Sequence, residues 1–365
     1  MTKKIGVGII GASPQRGWAT DAHIPALSAL DQFEFVALST SRKESADAAA
    51  KAFKVDLAFD NHMDLVNRPE VDVVAVTVKV PYHYELVSAA IAAGKAVYCE
   101  WPLGNGLEEA EAMAEMAKNK GVYNAVGLQA RSSPVINYVK ALIAEGYVGE
   151  VLSSSIVADA MNWGAEVMDC YRYLLDKKTG ASMMTIPFAH TMDAFCFTLG
   201  EFTQLSATTA TRRKQVKLLE TGEMIPSDVA DQLALQGILQ NGAVASVHFR
   251  GGMSRSTHFL WEINGTEGDL VIRADGGHIQ MLPLRLFGSQ GDAPLAELPV
   301  PTSYDPVAGL LPDGPSASVG RAYSRLSLDR EGSQQLPSFD DAVLRHRMID
   351  AIERAAATGK AQTYL

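Results

Sequence analysis

Gly11-Ala12-Ser13-Pro14-Gln15-Arg16-Gly17 follows a β-branched run, Ile5 to Ile10, and precedes a helical pattern through His23 and Leu27. Gly11 suits a tight turn, Ser13 stands where a second glycine usually sits, and Gly17 comes one residue late. In a strand, turn and helix context, the first N–H groups of the helix, helped by Ser13 or Arg16, suit a pyrophosphate. The alternative is a plain strand-to-helix turn. Gly6 to Gly11 also fits G-x-G-x-x-G, but it lies inside the strand, where glycines cannot cradle a phosphate. The second informative stretch is Leu38-Ser39-Thr40-Ser41-Arg42-Lys43, at the end of the second strand. An NAD site wants an acid there for the ribose hydroxyl, and none is present. Hydroxyls from Ser39, Thr40 or Ser41 and a charge-assisted fork from Arg42 suit a 2'-phosphate, so NADP(H) is expected, with NAD(H) as the alternative. The bland reading is a solvated helix start capped by Ser41.

Other chemistries find less support. His23, His62, His248, His258, His278 and His346 show neither HExxH nor a regular spacing with cysteine, so no catalytic metal is expected. GxSxG is absent, and Cys99, Cys170 and Cys196 are odd in number and far apart, which indicates neither a disulfide framework nor a zinc site and favours a reducing cytoplasm. Lys plus Arg (32) against Asp plus Glu (42) gives a net charge of -10, which disfavours a phosphate backbone as partner. No run approaches the roughly 18 apolar residues of a membrane span, and the opening MTKKIGVGII reads as a first strand rather than a leader.

The elements that must position these residues divide the chain. Ile5 to Ile10, Phe35 to Ser39, Val71 to Val78 and Ala96 to Cys99 read as strands buried on both faces. Between them Pro25 to Leu30, Glu44 to Phe53, Tyr84 to Ala93 and Leu107 to Lys120 read as helices, the last with Ala110, Met113, Ala114 and Ala117 on one face. This order predicts a doubly wound α/β domain over 1–125. From about Gly149 longer strand patterns follow: Val151 to Ala158, Ser206 to Thr211, Leu233 to Leu239, Ala243 to Arg250, Thr257 to Asn264 and Leu270 to Ala274. They predict an α+β domain over 126–365 with a large, open, mostly antiparallel sheet, and Asn241-Gly242 signals a hairpin. Residues 285 to 335 read as an exposed excursion. Asp340 to Ala357 reads as a closing helix, placed to pack back on the first domain.

With these segments in place, the chain resembles the glucose-fructose oxidoreductase and inositol dehydrogenase family over nearly its whole length. The resemblance rests on GIIGAS, VDVVAVTVKVPYHYELV, AVYCEWPLG, LQARSSPVINYVKALIAEGYVGEV, His190 with Asp193, INGTEGDLVI and FDDAVLRHRMIDAIERAAATG. Within the family it is most similar to the branch containing the fungal galactose-pathway co-repressor, which shares a tryptophan after the nucleotide loop (here Trp18) and Glu-Trp in place of Glu-Lys. The resemblance implies an N-terminal Rossmann domain, with Glu100 and Pro102 shaping the sheet end beneath a nicotinamide. It implies Val80, Pro81 and His83 against the cofactor, and Trp101 and Gln129 in the same neighbourhood. The family's acid-base lysine is here Trp101, and its aspartate four residues before the histidine is here Ile186. His190 is left as the proton-handling candidate, oriented by Asp193 one helical turn later. Tyr173, Tyr171, Lys79 and Asn162 are secondary candidates for donating to a carbonyl or sugar oxygen. Trp101 and Trp163 would form an apolar wall of the pocket, unless they are ordinary core residues.

The expected activity is hydride transfer between NADP(H) and a carbohydrate or related polyol, aldehyde or ketone. The alternatives are a dinucleotide-binding regulator without turnover and cofactor-assisted glycoside chemistry. The uncovered sheet face implies a homodimer or homotetramer.

Overall fold

The computed structural model describes residues 3–329 and 335–365. They fall into two compact units, Met1–Ser132 with Pro306–Val343, and Ser133–Asp305 with Leu344–Leu365.

In the first unit, β1 (Ile5–Ile10), β2 (Phe33–Ser39), β3 (Leu57–Phe59), β4 (Val73–Val76), β5 (Ala96–Glu100) and β6 (Asn124–Gly127) form a six-stranded sheet in the order β3-β2-β1-β4-β5-β6. Every pairing is parallel. The order reverses beside β1, which places the crevice of a doubly wound sheet at its carboxyl end. The helices are α1 (Ile24–Ala29), α2 (Lys43–Phe53), α3 (His62–Val66), α4 (His83–Ala92) and α5 (Leu107–Lys120). α5 buries Ala110, Met113, Ala114 and Ala117, the helical stripe expected from its sequence. Glu108 and Glu109 lie in its first turn, Lys118 and Lys120 in its last, and Gly121 closes it in the left-handed region.

The glycines inside β1 serve packing. A Cβ on Gly6 would lie 2.0 Å from Glu70 O, and one on Gly8 would lie 2.9 Å from the Leu65 side chain. This is why G-x-G-x-x-G recurs here without a phosphate role.

The second unit is built on β7 (Val151–Ala160), β8 (Glu166–Val167), β9 (Phe202–Ala210), β10 (Gln215–Leu218), β11 (Met224–Pro226), β12 (Gln232–Leu239), β13 (Val244–Gly251), β14 (Phe259–Gly265), β15 (Gly268–Ala274), β16 (Arg285–Gln290) and β17 (Ala296–Glu297). Eight of them form a sheet ordered β17-β16-β15-β14-β7-β13-β12-β9, antiparallel except where β7 meets β13. β8, β10 and β11 make a separate small sheet. Asn241-Gly242 turns β12 into β13, with Gly242 at φ 88°. The inner face of the large sheet carries Phe202, Phe249 and Trp261, all essentially inaccessible.

Helices α6 (Pro134–Ala144) and α7 (Ala189–Leu199) complete this unit's layer, α7 being buried on nearly every side. Arg345, 1% exposed, faces Asp193 at 3.7 Å and pairs with Glu201, whose other oxygen accepts from Tyr364 at 2.6 Å. This cluster anchors the chain end beside β9, where Leu205 and Gln362 exchange backbone hydrogen bonds.

The division departs from a single boundary after residue 125. Residues 306–343 return to the first unit, because α8 (Pro315–Asp329) inserts Ala317, Val319, Ala322, Tyr323 and Leu326 into its core. The expectation of an exposed excursion over 285–335 is therefore corrected. It begins as the two sheet strands β16 and β17 and continues as a core helix whose small residues carry a weak apolar signal; residues 330–334 lie outside the described residues. The closing helix, α9 (Phe339–Thr358), straddles the two divisions: Phe339 N donates to Asn124 Oδ1 at 2.8 Å in the first unit, whereas Arg345 belongs to the second.

Replacing Gly6 by alanine is expected to destabilise the first unit by about 1–3 kcal/mol, because the new methyl meets a backbone carbonyl. Thermal unfolding measures this.

Candidate functional site

A cleft of about 630 Å³ opens at the carboxyl ends of β1, β2 and β4. Gly11, Ala12 and Ser13 form one wall, and Ser39, Thr40, Ser41, Arg42 and Ser45 form another. Gly11 sits at φ 104°, and a Cβ there would lie 2.7 Å from Val78 Cγ1, so backbone fills the space a side chain would need. Arg42 is the N-cap of α2, in extended backbone, which displaces Ser41 from the capping position. Thr40 Oγ1 lies 2.7 Å from Ser45 Oγ, and Ser45 Oγ donates to Arg42 O at 2.8 Å, which fixes the shape of this turn. The Arg42 guanidinium makes no ion pair among the described residues. These features fit an adenine dinucleotide, whose phosphates would lie on the Gly11 turn.

The same cleft brings in residues that sequence reasoning passed over: Asp60, Asn61 and His62 after β3, and Val78, Tyr82, Glu85 and Leu86 around the start of α4; Lys79, expected on the substrate side, joins them. β3 is only three half-buried residues long, so neither it nor the acid that follows it stood out. Of the residues expected at the phosphate end, Arg16 is exposed and Gly17 takes φ 121°, but Trp18 packs its ring against the unit's core.

The resemblance-derived residues after β4 and β5 are more deeply committed to structure than expected. Val80 and Pro81 start a short 3-10 turn, and Val80 is buried. His83 is corrected from a cofactor contact to a brace: Nδ1 lies 2.8 Å from Pro102 O and Nε2 lies 3.0 Å from Val78 O, with the ring 1% exposed. Burial pushes its pKa down. Glu100, at the end of β5, receives Gln129 Nε2 at 2.9 and 2.8 Å on its two oxygens and His23 Nε2 at 2.8 Å. His23 Nδ1 in turn lies 2.8 Å from the Tyr323 hydroxyl of α8. Gln129 is thus tied to Glu100 rather than presented to a ligand. A Cβ on Gly127 would lie 2.5 Å from Glu100 Oε2, so β6 needs glycine beside the carboxylate. Trp101 follows, 6% exposed, joined to Pro102 by a cis peptide.

The substrate-side candidates belong to the second unit. His190 lies in the first turn of α7 and is 4% exposed; its Nδ1 has no hydrogen-bond partner among the described residues, and burial, reinforced by His278, holds its pKa at about 3. Asp193 does not orient it, because that carboxylate faces Arg345. Ile186 lies in the π-helical turn before α7. Tyr171 and Tyr173 share a 3-10 segment, Tyr171 being 36% exposed, and burial raises the pKa of Tyr173, keeping its phenol protonated. Asn162 is half-buried beside Trp163. Trp163 donates from Nε1 to Leu174 O at 3.0 Å, and its ring stacks on His278 at 6.0 Å, so one face is already covered. His278 was missed as a site residue because it sits in an irregular loop after β15. Among the described residues no group of three or more His, Cys, Asp or Glu is placed to hold a metal, and no helix is long and apolar enough to cross a membrane.

Comparison with known proteins matches both halves. Residues 5–128 match the model of the oxidoreductase family with an NAD-binding Rossmann fold, and residues 134–274 match that of the Gal80p C-terminal domain. The chain is 30% identical to dehydrogenase aclE of Aspergillus oryzae over 385 residues, covering 100% of this chain and 99% of that one. It is 27% identical to the galactose/lactose metabolism regulatory protein GAL80 of Saccharomyces cerevisiae, covering 97% and 93%. A solved super-repressor mutant of that yeast Gal80p superposes with a TM-score of 0.90 at 25% identity, covering 99% of this chain and 98% of that one. Levoglucosan dehydrogenase of Pseudarthrobacter phenanthrenivorans is 25% identical over 97% of each chain. The chain belongs to the glucose-fructose oxidoreductase and inositol dehydrogenase family of NAD-binding Rossmann-fold oxidoreductases, in the branch that carries a Gal80p-type C-terminal domain.

Proposed function

We propose that this protein is an NADP(H)-dependent oxidoreductase acting on a carbohydrate or a related polyol, aldehyde or ketone. The observation that carries the cofactor preference is the Arg42 guanidinium at the rim of the cleft, without an ion pair among the described residues, beside the hydroxyls of Thr40 and Ser41 and with no carboxylate at the end of β2. Asp60 and Glu85 also line the cleft, so discrimination against NAD(H) rests on Arg42 and not on the absence of every acid. Levoglucosan dehydrogenase and dehydrogenase aclE among the relatives support the reaction class. The bound dinucleotide supplies hydride chemistry. This chain's own residues hold it and handle the hydroxyl proton.

His190 is the proton-handling residue of this reading. Its depressed pKa keeps the imidazole neutral throughout the working range, so it accepts a proton and does not carry one into the reaction. A second reading, a dinucleotide-binding regulator, is favoured by the same observation. A group held near 3 is a weak base, and the position after Glu100 offers Trp101 instead of a lysine. The GAL80 relatives support it equally.

The large sheet leaves Ile238 46% and Val244 59% exposed at register partners on β12 and β13. We take this face to be covered by a second copy in a homodimer or homotetramer.

Three outcomes test these readings. NADPH should bind more tightly than NADH by calorimetric titration, and Arg42→Ala should weaken NADPH about 10-fold while leaving NADH nearly unchanged. NADH binding as tight as NADPH would sink the preference. On a substrate found by screening sugars and polyols, His190→Ala should lower kcat by about 10²- to 10⁴-fold. The wild-type kcat/KM should show no inflection near pH 6.5, since the free-enzyme imidazole stays neutral down to about 3; dinucleotide binding without turnover on any substrate selects the regulator. Light scattering should give a dimer or tetramer that Val244→Arg dissociates, and a monomeric wild type contradicts the assembly.

A further inference from the structure

The second unit carries a cavity of about 430 Å³ where β14 begins, β15 ends and β16 begins. In the sheet order β14 and β7 separate its β15 wall from the Ile238 and Val244 patch on β12 and β13. Its polar lining is Ser256, Thr257, His258, Arg273, Asp275 and Arg285, and Leu260 and Pro283 are among its apolar walls.

One buried residue of β7 holds the two loops at its mouth. Asp159, fully inaccessible, accepts from Ser254 N at 2.7 Å and from His258 Nδ1 at 2.7 Å on Oδ2. Its backbone N donates to His258 O at 2.8 Å, and its backbone O accepts from Gly277 N at 3.0 Å. The loop before β14 and the loop after β15 are thus fixed before any ligand arrives, which lowers the cost of binding. In the neutral imidazole Nδ1–H donates to the Asp159 carboxylate, so Nε2 is an acceptor. That atom makes no hydrogen bond among the described residues, and the His258 side chain is 33% exposed.

The arginines are unequal. Arg273 and Arg285 are register partners on β15 and β16, and both guanidiniums lie over the Phe287 ring, at 4.9 and 5.1 Å. Like charges set directly across two strands repel. Arg285 is offset by a two-pronged pair with Glu297, at 3.0 and 2.9 Å, and more weakly by the field of Asp275. Arg273 makes no ion pair among the described residues, and neither does Asp275. Two positions apart at the end of β15, they stand about 7 Å from each other along an extended chain.

The cavity therefore offers one cation and one carboxylate of its own, each open to a ligand. A phosphate dianion would suit Arg273 but would meet Asp275 with Asp159 behind it, and a simple cation would meet Arg273. A ligand with both charges on neighbouring atoms satisfies the two together. We propose that this cavity binds a free α-amino acid with an apolar side chain. Its carboxylate lies on Arg273 with the Ser256 and Thr257 hydroxyls as donors, its ammonium lies on Asp275 and His258 Nε2, and its side chain lies against Leu260 and Pro283. This site is separate from the dinucleotide cleft, and neither functional reading of that cleft is needed for it.

Calorimetry on the full-length protein with L-leucine, L-methionine and L-phenylalanine tests it. At least one should bind, and at least about 10-fold more tightly than its amide, which lacks the carboxylate, or its deamino acid, which lacks the ammonium. For L-leucine these are L-leucinamide and 4-methylpentanoate, and the comparison needs no variant. Arg273→Gln and Asp275→Asn should each weaken the amino acid by about 10-fold. Both side chains are exposed, so the melting temperature should stay at the wild-type value, which reports that the variants are folded. No binding of any of the three, an amide or deamino acid as tight as its parent, or unchanged affinity in both variants would each overturn the proposal. So would displacement of the amino acid by inorganic phosphate at equal concentration, which would assign the cavity to simple anions.

Discussion

The first unit depends on one carboxylate. Glu100 closes β5 at the end of the sheet where a cofactor would lie, and it is held by Gln129 after β6 and by His23 ahead of α1. Through His23 it reaches Tyr323, which stacks on Tyr98 of β5 at 5.5 Å and brings a helix from late in the chain into the core. A carboxylate taken largely out of water is stable only if its lone pairs are met, and here each partner comes from a different element. Removing any of them would leave the others with unmatched polar atoms inside a close-packed sheet. Tyr323 of the returning segment meets this group through His23, and the glycine at position 127 leaves room for it.

The second unit solves a comparable problem in the opposite way. Arg345 is buried among Asp193 and Glu201, so its charge is balanced by neighbours. For His190, His278 and His346 burial is the larger influence, and it drives their pKa values down to about 3, about 4 and about 4. Neutral imidazoles are compatible with an apolar interior, and they leave this part of the second unit to directed hydrogen bonds rather than fixed charge.

These two solutions frame the functional choice. The cleft keeps a glycine turn and a row of hydroxyls of the kind a dinucleotide site uses, and the Arg42 guanidinium beside them makes no ion pair among the described residues. The resemblance places Trp101 and Ile186 where the family carries lysine and aspartate, and burial holds His190 neutral. The relatives include proteins named as dehydrogenases and proteins named as regulators. Cofactor binding and proton handling are physically separable, so one can persist while the other is remodelled.

The sequence by itself determined the parallel sheet, the helical stripe of α5, the β12–β13 hairpin and the glycine turn after β1. Each is written in contiguous residues whose periodicity or backbone requirement is local. It also exposed the missing acid after β2 and the replaced lysine at Trp101. Tertiary structure alone decided that Asp193 serves Arg345, that His83 and Gln129 brace the sheet end, that Asp60 enters the cleft after a three-residue strand, and that His278 stacks on Trp163. These pairings join residues tens to hundreds of positions apart, and the cost of an unmet polar group selects the partner. That cost is felt only once the chain has closed around the atoms concerned, so no local pattern records it.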